Sequence, residues 1–147
     1  MSDEGRTPPH NDPAEAALIS ACLTSAKALE HAAGVVTPED LYDPANRRVY
    51  AALLRLHTQG QPIDPVTVAD EVQTGDGKPG IDPANVISYL AGLGVTAHSE
   101  RYAHIVARMA RLRRILHLCG DLEDAVHAYD DTAIAQALDA LAKEADA

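Results

Sequence analysis

The segment GDGKPG at residues 75–80 is the strongest candidate for nucleotide chemistry. A phosphate-binding loop follows the pattern GxxxxGK[ST], in which the lysine contacts phosphate and the hydroxyl residue contacts magnesium at the start of a helix. Here Lys78 is followed by Pro79, which has no hydroxyl group. We therefore expect residues 74–80 to form a flexible surface loop. No other segment has the pattern, so ATP hydrolysis is not expected of this chain.

Histidines, cysteines and carboxylates are numerous but lack catalytic spacing. The seven His and two Cys contain no CxxC or HExxH pair of the kind that binds zinc, and GxSxG is absent. Adjacent carboxylates such as Asp70 and Glu71 suit caps and solvated faces, whereas acid–base catalysis needs carboxylates in different environments. No catalytic residue, metal ion or cofactor is expected. Cys22 and Cys119 are predicted to be buried free thiols.

Arginines are concentrated in one segment of an acidic chain whose net charge is -10. Arg108, Arg111 and Arg114 lie there with Arg101 and Arg113. One interpretation is that these arginines contact DNA phosphates. The other is that they pair with the acidic segment that follows, either within one chain or between identical subunits. Pairing between subunits would help to set their register. The overall acidity and the lack of Phe and Trp for base stacking favour the second interpretation.

Helix-start signals recur along the chain. At five points Asp or Thr precedes Pro, which joins a capping oxygen to a residue suited to the first helical turn. These pairs are Asp12-Pro13, Thr37-Pro38, Asp43-Pro44, Asp64-Pro65 and Asp82-Pro83. Apolar residues follow at helical spacing, so we predict an all-α fold. The predicted helices cover about 13–23, 26–33, 44–59, 65–73 and 83–91, with a single turn at 37–42.

A longer helical pattern begins near residue 97 and is expected to bend or pause at Gly120. Asp130 and Asp131 make a turn and cap before a last helix at about 132–145, which completes an antiparallel hairpin. Apolar residues at three–four spacing form a seam that is wide for such a hairpin, and it would face either a partner or the preceding helices. The seam comprises Tyr102, Ile105, Met109, Leu112, Leu116, Cys119 and Val126, then Ile134, Leu138 and Leu141.

We predict one domain in three parts. Residues 1–11 form a disordered lead, 12–95 a small orthogonal helical bundle, and 96–147 the helical hairpin. No apolar run approaches the ~20 residues of a membrane span. Asp3, Glu4 and Pro8 do not fit a signal peptide, so we expect a cytoplasmic protein.

Four segments, in order, resemble the N-terminal domain of DnaB-like replicative DNA helicases. They are PPHN at 8–11 with AEAALISACL at 14–23, LYDPANRRVYAALLRLHTQGQPID at 41–64, YL at 89–90, and YAHIVARMARLRRIL at 102–116. The resemblance covers almost the whole chain and lacks the motor domain of such helicases. The chain would therefore be either the N-terminal piece of a longer ATP-dependent helicase or a free-standing regulator.

The resemblance implies a non-catalytic interaction domain rather than an enzyme. Such domains form the collar of a hexameric ring, pair through the hairpin, and dock primase and, in some bacteria, a helicase loader. Direct DNA binding is not expected. The alternatives are the helicase-binding module of primase, a small helical enzyme and an unrelated adaptor. The residues to which the resemblance assigns self-association are Tyr102, Ile105, Met109, Leu112, Leu116, Ile134, Leu138 and Leu141.

Overall fold

The computed structural model describes residues 6–80, 82–89 and 94–146. These residues contain helices and no strand, which confirms the predicted all-α class. The helices are α1 (Asp12–Thr24), α2 (Ala26–Ala33), α3 (Pro44–Thr58), α4 (Pro65–Asp76), α5 (Pro83–Ser88), α6 (Ser99–His127) and α7 (Asp131–Ala145). Short 3-10 turns lie at Pro38–Asp40 and Thr96–His98. The predicted end of α5, at 90–91, lies outside the described residues.

The chain divides into two compact units. Residues 10–107 form the first, which we call the bundle unit, and residues 1–9 with 108–147 form the second, the hairpin unit. The helix α6 contributes its first turns to the bundle unit and the rest to the hairpin unit.

Capping side chains begin the helices close to where the sequence indicates. Asp43 and Asp64 each accept a hydrogen bond from a first-turn amide of their helix, both at 2.8 Å. The prediction for α1 was wrong by one residue. Asn11 rather than Asp12 is the cap, and its side-chain oxygen accepts a hydrogen bond from the Ala14 amide at 3.0 Å.

Two other helices depart from the predicted pattern. α4 continues to Asp76, so the predicted loop at 74–80 starts inside a helix. Arg48 holds the end of α4 and the residues after it in place. Its guanidinium donates to the Asp76 carboxylate and to the Pro79 carbonyl, both at 2.7 Å. α6 is one continuous helix through Gly120. A single glycine costs only about 1 kcal/mol, which a 29-residue helix can absorb.

Aliphatic side chains and one tyrosine form the core of the bundle unit. The largest fully buried residues include Leu18, Ile19, Leu53 and Tyr50. The Tyr50 hydroxyl donates to the Val36 carbonyl at 2.9 Å, so burying this large ring leaves no unpaired polar atom. Tyr50 thus fills space that Phe or Trp, both absent from the chain, would otherwise occupy.

The two cysteines lie in different environments. Cys22 is buried, as predicted, and burial raises the pKa of its thiol to about 12. The prediction was wrong for Cys119, which is exposed. In the hairpin unit the larger apolar residues of α6 are half-buried or exposed, so an apolar helical pattern there does not imply burial.

A buried carboxylate joins α1 to the start of α3. Glu15 is only 1% exposed and accepts hydrogen bonds from the amides of Tyr42 at 2.7 Å and Asp43 at 3.3 Å, and from Asn46 Nδ2 at 2.9 Å. The Tyr89 hydroxyl donates to Asn46 Oδ1 at 2.6 Å. This network pairs every polar group it buries, which is the condition for keeping a carboxylate inside a protein.

Part of the predicted disordered lead makes defined contacts. The His10 ring stacks on Tyr42 with centroids 4.2 Å apart, and Arg113 Nη1 donates to the Pro9 carbonyl at 2.8 Å. Together with the Asn11 cap, these contacts mean that the predicted disorder does not extend to residues 9–11. Residues 1–5 of the lead lie outside the described residues.

Candidate interaction surface

A short turn makes an antiparallel hairpin of the second part of α6 and α7. The turn, at residues 128–130, lies at what we call the tip. There the Asp130 side chain accepts a hydrogen bond from the Ala133 amide at 3.0 Å and begins α7. The opposite end, near residue 108, is the base.

Two arginines fasten the helices together near the base. Arg111 Nε donates to the Glu144 carbonyl at 2.9 Å, and Arg114 Nε donates to the Glu144 carboxylate at 2.8 Å. The hydrogen bonds from Arg114, aided by the charges of both arginines, hold the pKa of Glu144 below its usual value. Arg108 is exposed, and no partner for it is found among the described residues. Pairing with Glu144 therefore occupies Arg111 and Arg114, two of the arginines that the sequence singled out.

The hairpin buries little besides alanine. Its buried residues within the described ranges are Ala110, Ala125 and Ala137. A methyl side chain removes little apolar surface from water, so these residues provide only a small core. Larger apolar side chains remain accessible, with Leu116 41% exposed and Leu138 52% exposed. The hairpin therefore has apolar surface that its own two helices do not cover.

The eight predicted interface residues divide between the two units. Tyr102 and Ile105 pack against the core of the bundle unit, and the Tyr102 hydroxyl accepts a hydrogen bond from the Val95 amide at 3.1 Å. The structure thus places these two in a packing role. The other six share the hairpin unit, where four are half-buried and two are exposed: Met109, Leu112, Ile134 and Leu141, then Leu116 and Leu138.

Two exposed residues near the tip were not among those eight. Val126 is 51% exposed, and Tyr129 is 92% exposed with a φ of 55°. A bulky residue at positive φ is uncommon and suggests a constraint other than local stability. The sequence signal for Tyr129 is its place directly before the capping Asp130, where a helix normally ends in Gly or Asn.

The described residues show neither a metal cluster nor a membrane helix. Within them, no group of three or more His, Cys, Asp or Glu side chains could hold a metal ion. No helix in these ranges combines the length and apolarity needed to cross a membrane.

These features define an all-α domain with a bundle and a hairpin that leaves apolar surface uncovered. Residues 7–108 match the family described as DnaB-like helicase N terminal domain. The chain belongs to this family. It corresponds to the N-terminal domain of such helicases and contains no phosphate-binding loop sequence.

Relatives and a solved structure agree with this assignment. Replicative DNA helicase DnaB of Geobacillus stearothermophilus is 31% identical over 142 residues, which cover 96% of this chain and 30% of that protein. Replicative DNA helicase DnaC of Bacillus subtilis (strain 168) is 35% identical over 115 residues, or 76% of this chain and 25% of that protein. The chain spans less than a third of either relative.

The structural match is to an isolated domain. The crystal structure of the N-terminal domain of DnaB helicase from Mycobacterium tuberculosis superposes with a TM-score of 0.80 and 27% identity. The match covers 96% of this chain and 100% of that one. All of these similarities are to replicative helicases, so they favour the helicase domain over the alternative of a helicase-binding module of primase.

Proposed function

We propose that this chain is a non-catalytic interaction and oligomerisation domain of a DnaB-like replicative helicase, acting in DNA replication in the cytoplasm. The hairpin joins copies of the chain during ring assembly. The domain also docks primase and, where one is used, a helicase loader. The observation that carries this proposal is the set of exposed apolar residues on the hairpin, Leu116, Val126, Tyr129 and Leu138, which we call the exposed apolar set.

Hydrophobic burial supplies the driving force. Full burial of a Leu or Val side chain contributes roughly 1.5–3 kcal/mol, and a unit whose buried residues are alanines has not gained that contribution. A second hairpin laid on the exposed apolar set would supply the missing surface. Of the eight residues that the resemblance assigns to self-association, Tyr102 and Ile105 pack half-buried against the core of the bundle unit, and the other six lie in the hairpin unit.

Direct DNA binding is not part of the proposal. The net charge of -10 repels phosphate. Several arginines are also held by groups of the same chain: Arg114 by the Glu144 carboxylate, Arg111 by the Glu144 carbonyl, and Arg48 by the Asp76 carboxylate. Their charges stabilise the fold, and this use competes with phosphate contact.

Sedimentation velocity tests the self-association. The sedimentation coefficient should rise with protein concentration up to about 1 mM, where a free energy of association near −4 kcal/mol still registers. A monomer throughout this range would contradict self-association by the chain.

Calorimetry tests the docking of primase. We expect titration with the helicase-binding domain of primase from the same organism to release heat, and the Leu116→Asp substitution to weaken the binding. No heat at about 100 μM, where a partner at ~−5 to −6 kcal/mol would register, would remove primase from the proposal and leave self-association.

A further inference from the structure

A cavity of about 340 Å³ lies in the bundle unit and is lined by the first turns of α2 and α6. We call it the α2–α6 cavity. Its volume is within the range of small-molecule binding sites. Its polar and charged lining residues are Ser25, Lys27, His31, Thr96, Ser99 and Glu100. The lining therefore offers three hydroxyl groups, an ammonium group and an imidazole, opposed by the carboxylate of Glu100.

The Ser99 hydroxyl is buried without a partner from the chain. Ser99 is 4% exposed, and no hydrogen bond of its side chain is found among the described residues. Every fully enclosed side-chain nitrogen or oxygen in these ranges has a hydrogen-bond partner, so the Ser99 hydroxyl reaches open space. The open space that Ser99 lines is the α2–α6 cavity. The hydroxyl is thus available to donate to a group that enters the cavity.

Lys27 lies where a helix normally favours negative charge. It is the second residue of α2, near the positive end of the helix dipole, and the first turn contains no Asp or Glu. The charge of Lys27 therefore adds to the charge of the dipole end instead of opposing it. No ion pair of Lys27 is found in the described part of the chain. An anion in the cavity would offset both positive charges.

Two further donors lie on α2 and at its cap. His31 follows Lys27 by four residues, which places both side chains on one face of the helix, one turn apart. The Ser25 hydroxyl accepts a hydrogen bond from the Ala28 amide at 3.1 Å. This bond does not use the proton of the hydroxyl, so Ser25 can also donate. Donors therefore reach the cavity from the starts of both helices.

These donors suit a phosphate group better than a carboxylate. A phosphate monoester carries a charge of about −1.5 to −2 at neutral pH and has three strong acceptor oxygens, whereas a carboxylate has two oxygens. Lysine binds phosphate as a point charge, and hydroxyl groups complete the contacts to the oxygens. The Glu100 carboxylate repels an anion, but it is exposed, so solvent and salt screen the repulsion.

We propose that the α2–α6 cavity binds the phosphate group of a small polar molecule, such as a sugar phosphate or a nucleotide. Lys27 supplies the charge, His31 a further donor, and Ser99 the hydrogen bond from the inner wall. The volume left beside the phosphate holds the polar body. All the lining residues belong to the bundle unit, so this inference is independent of the proposed self-association of the hairpin.

NMR titration of the whole chain locates the binding. Sodium phosphate is compared with sodium chloride at equal ionic strength and pH. We expect phosphate to shift the amide signals of Lys27, Ala28 and Glu100 and to leave those of Val66 and Thr67, on α4, in place. Equal shifts at α4, or none at about 10 mM phosphate, ten times the dissociation constant of a weak millimolar site, would overturn the inference.

Two lysine substitutions separate the cavity from the attraction of net charge. Lys27→Met keeps an apolar stem, removes the ammonium group, and should weaken phosphate binding about fivefold or more. Lys143→Met removes the same charge from the hairpin unit, where Lys143 is exposed, and should weaken binding less than about twofold. Glu100→Gln should strengthen binding, because it removes the repulsion. Equal weakening by both lysine variants would overturn the inference.

Ser99→Ala tests the inner wall. Because the Ser99 hydroxyl makes no hydrogen bond among the described residues, its removal should leave the urea midpoint in chloride unchanged. Phosphate should raise the midpoint of the unmodified chain more than that of Ser99→Ala. This comparison cancels the general stabilisation by phosphate salts. Equal rises would exclude Ser99 and overturn the inference. If Ser99→Ala does not fold, the pair of lysine variants decides.

A comparison of phosphate compounds tests the polar body. We expect ribose 5-phosphate and AMP to shift the same amide signals as inorganic phosphate, at lower concentrations, because their attached groups fill the rest of the cavity. If inorganic phosphate binds at least as tightly as both compounds, the cavity recognises the ion alone and the proposed class of ligand is wrong.

Discussion

Asn46 Nδ2 donates a hydrogen bond of 2.9 Å to Glu15, 31 residues earlier, and both residues are buried. Through this bond the first turn of α1 is joined to the first turn of α3. The amides of Tyr42 and Asp43, which lead into α3, donate to the same carboxylate. Glu15 therefore organises the entry into the helix on which much of the core of the bundle unit is built.

Replacing Glu15 should destabilise the chain strongly. Glu15→Ala leaves buried donors without a partner, and we expect a loss of about 3 kcal/mol or more in the free energy of unfolding by urea. Glu15→Gln should lose less, because it retains one acceptor oxygen. The control is Glu39→Ala at an exposed position, expected within about 0.5 kcal/mol of the unmodified chain. Equal effects of Glu15→Ala and Glu39→Ala would contradict the role given to this network.

The two thiols should differ in reactivity. Cys119 is exposed, whereas Cys22 is buried with its pKa raised to about 12, and only the thiolate reacts. A thiol reagent at mildly alkaline pH should modify one cysteine quickly and the second only on unfolding. Cys119→Ser should remove the fast phase. Two fast phases in the unmodified chain would show that Cys22 is accessible.

Two glycines should respond oppositely to a methyl group. At Gly94 a Cβ atom would overlap the carbonyl oxygen of Ala17, so Gly94→Ala should cost about 1–3 kcal/mol. At Gly120, inside α6, a Cβ atom meets nothing within 4 Å, and Gly120→Ala should gain about 0.5–1 kcal/mol. Urea unfolding of the two variants measures both effects. A stabilising Gly94→Ala would mean that the approach to Ala17 is not close.

The carboxylate of Asp76 should titrate at unusually low pH. The hydrogen bond from Arg48 is the main cause that lowers its pKa from 3.8 to about 2. Because the folded value is the lower one, its stabilising contribution is complete above about pH 4 and is lost as the pH falls toward 2. NMR titration of the Asp76 carboxyl carbon measures the midpoint. In Arg48→Met the midpoint should return toward 3.8, and an unchanged midpoint would exclude Arg48 as the cause.

Local signals made much of the fold predictable. The caps at Asp43 and Asp64 depend on a few neighbouring residues, and the prolines beside them remove competing conformations. The extension of α4 to Asp76 was not predictable, because it depends on Arg48, 28 residues away in the chain. The burial of Glu15 is nonlocal in the same way, since its partners lie in another helix and in the turn before it.

The candidate surface was predictable only in part. Apolar spacing indicated the seam, but the continuous helix α6 belongs partly to the bundle unit and partly to the hairpin unit. No break in the apolar pattern separates Tyr102 and Ile105, in the bundle unit, from Leu116, in the hairpin unit. Tyr129 was not among the predicted surface residues, because the helical periodicity ends before it. Its importance depends on the backbone conformation of the turn, which spacing does not reveal.

Self-association through the exposed apolar set is tested most directly by one pair of variants. Leu138 in the hairpin and Ile87 on α5 are both 52% exposed, so an Asp at either position should disturb the single chain to a similar, small extent. In sedimentation velocity at high concentration, we predict that Leu138→Asp abolishes the concentration-dependent rise and that Ile87→Asp preserves it. A Leu138→Asp chain that associates like the unmodified chain would contradict the account.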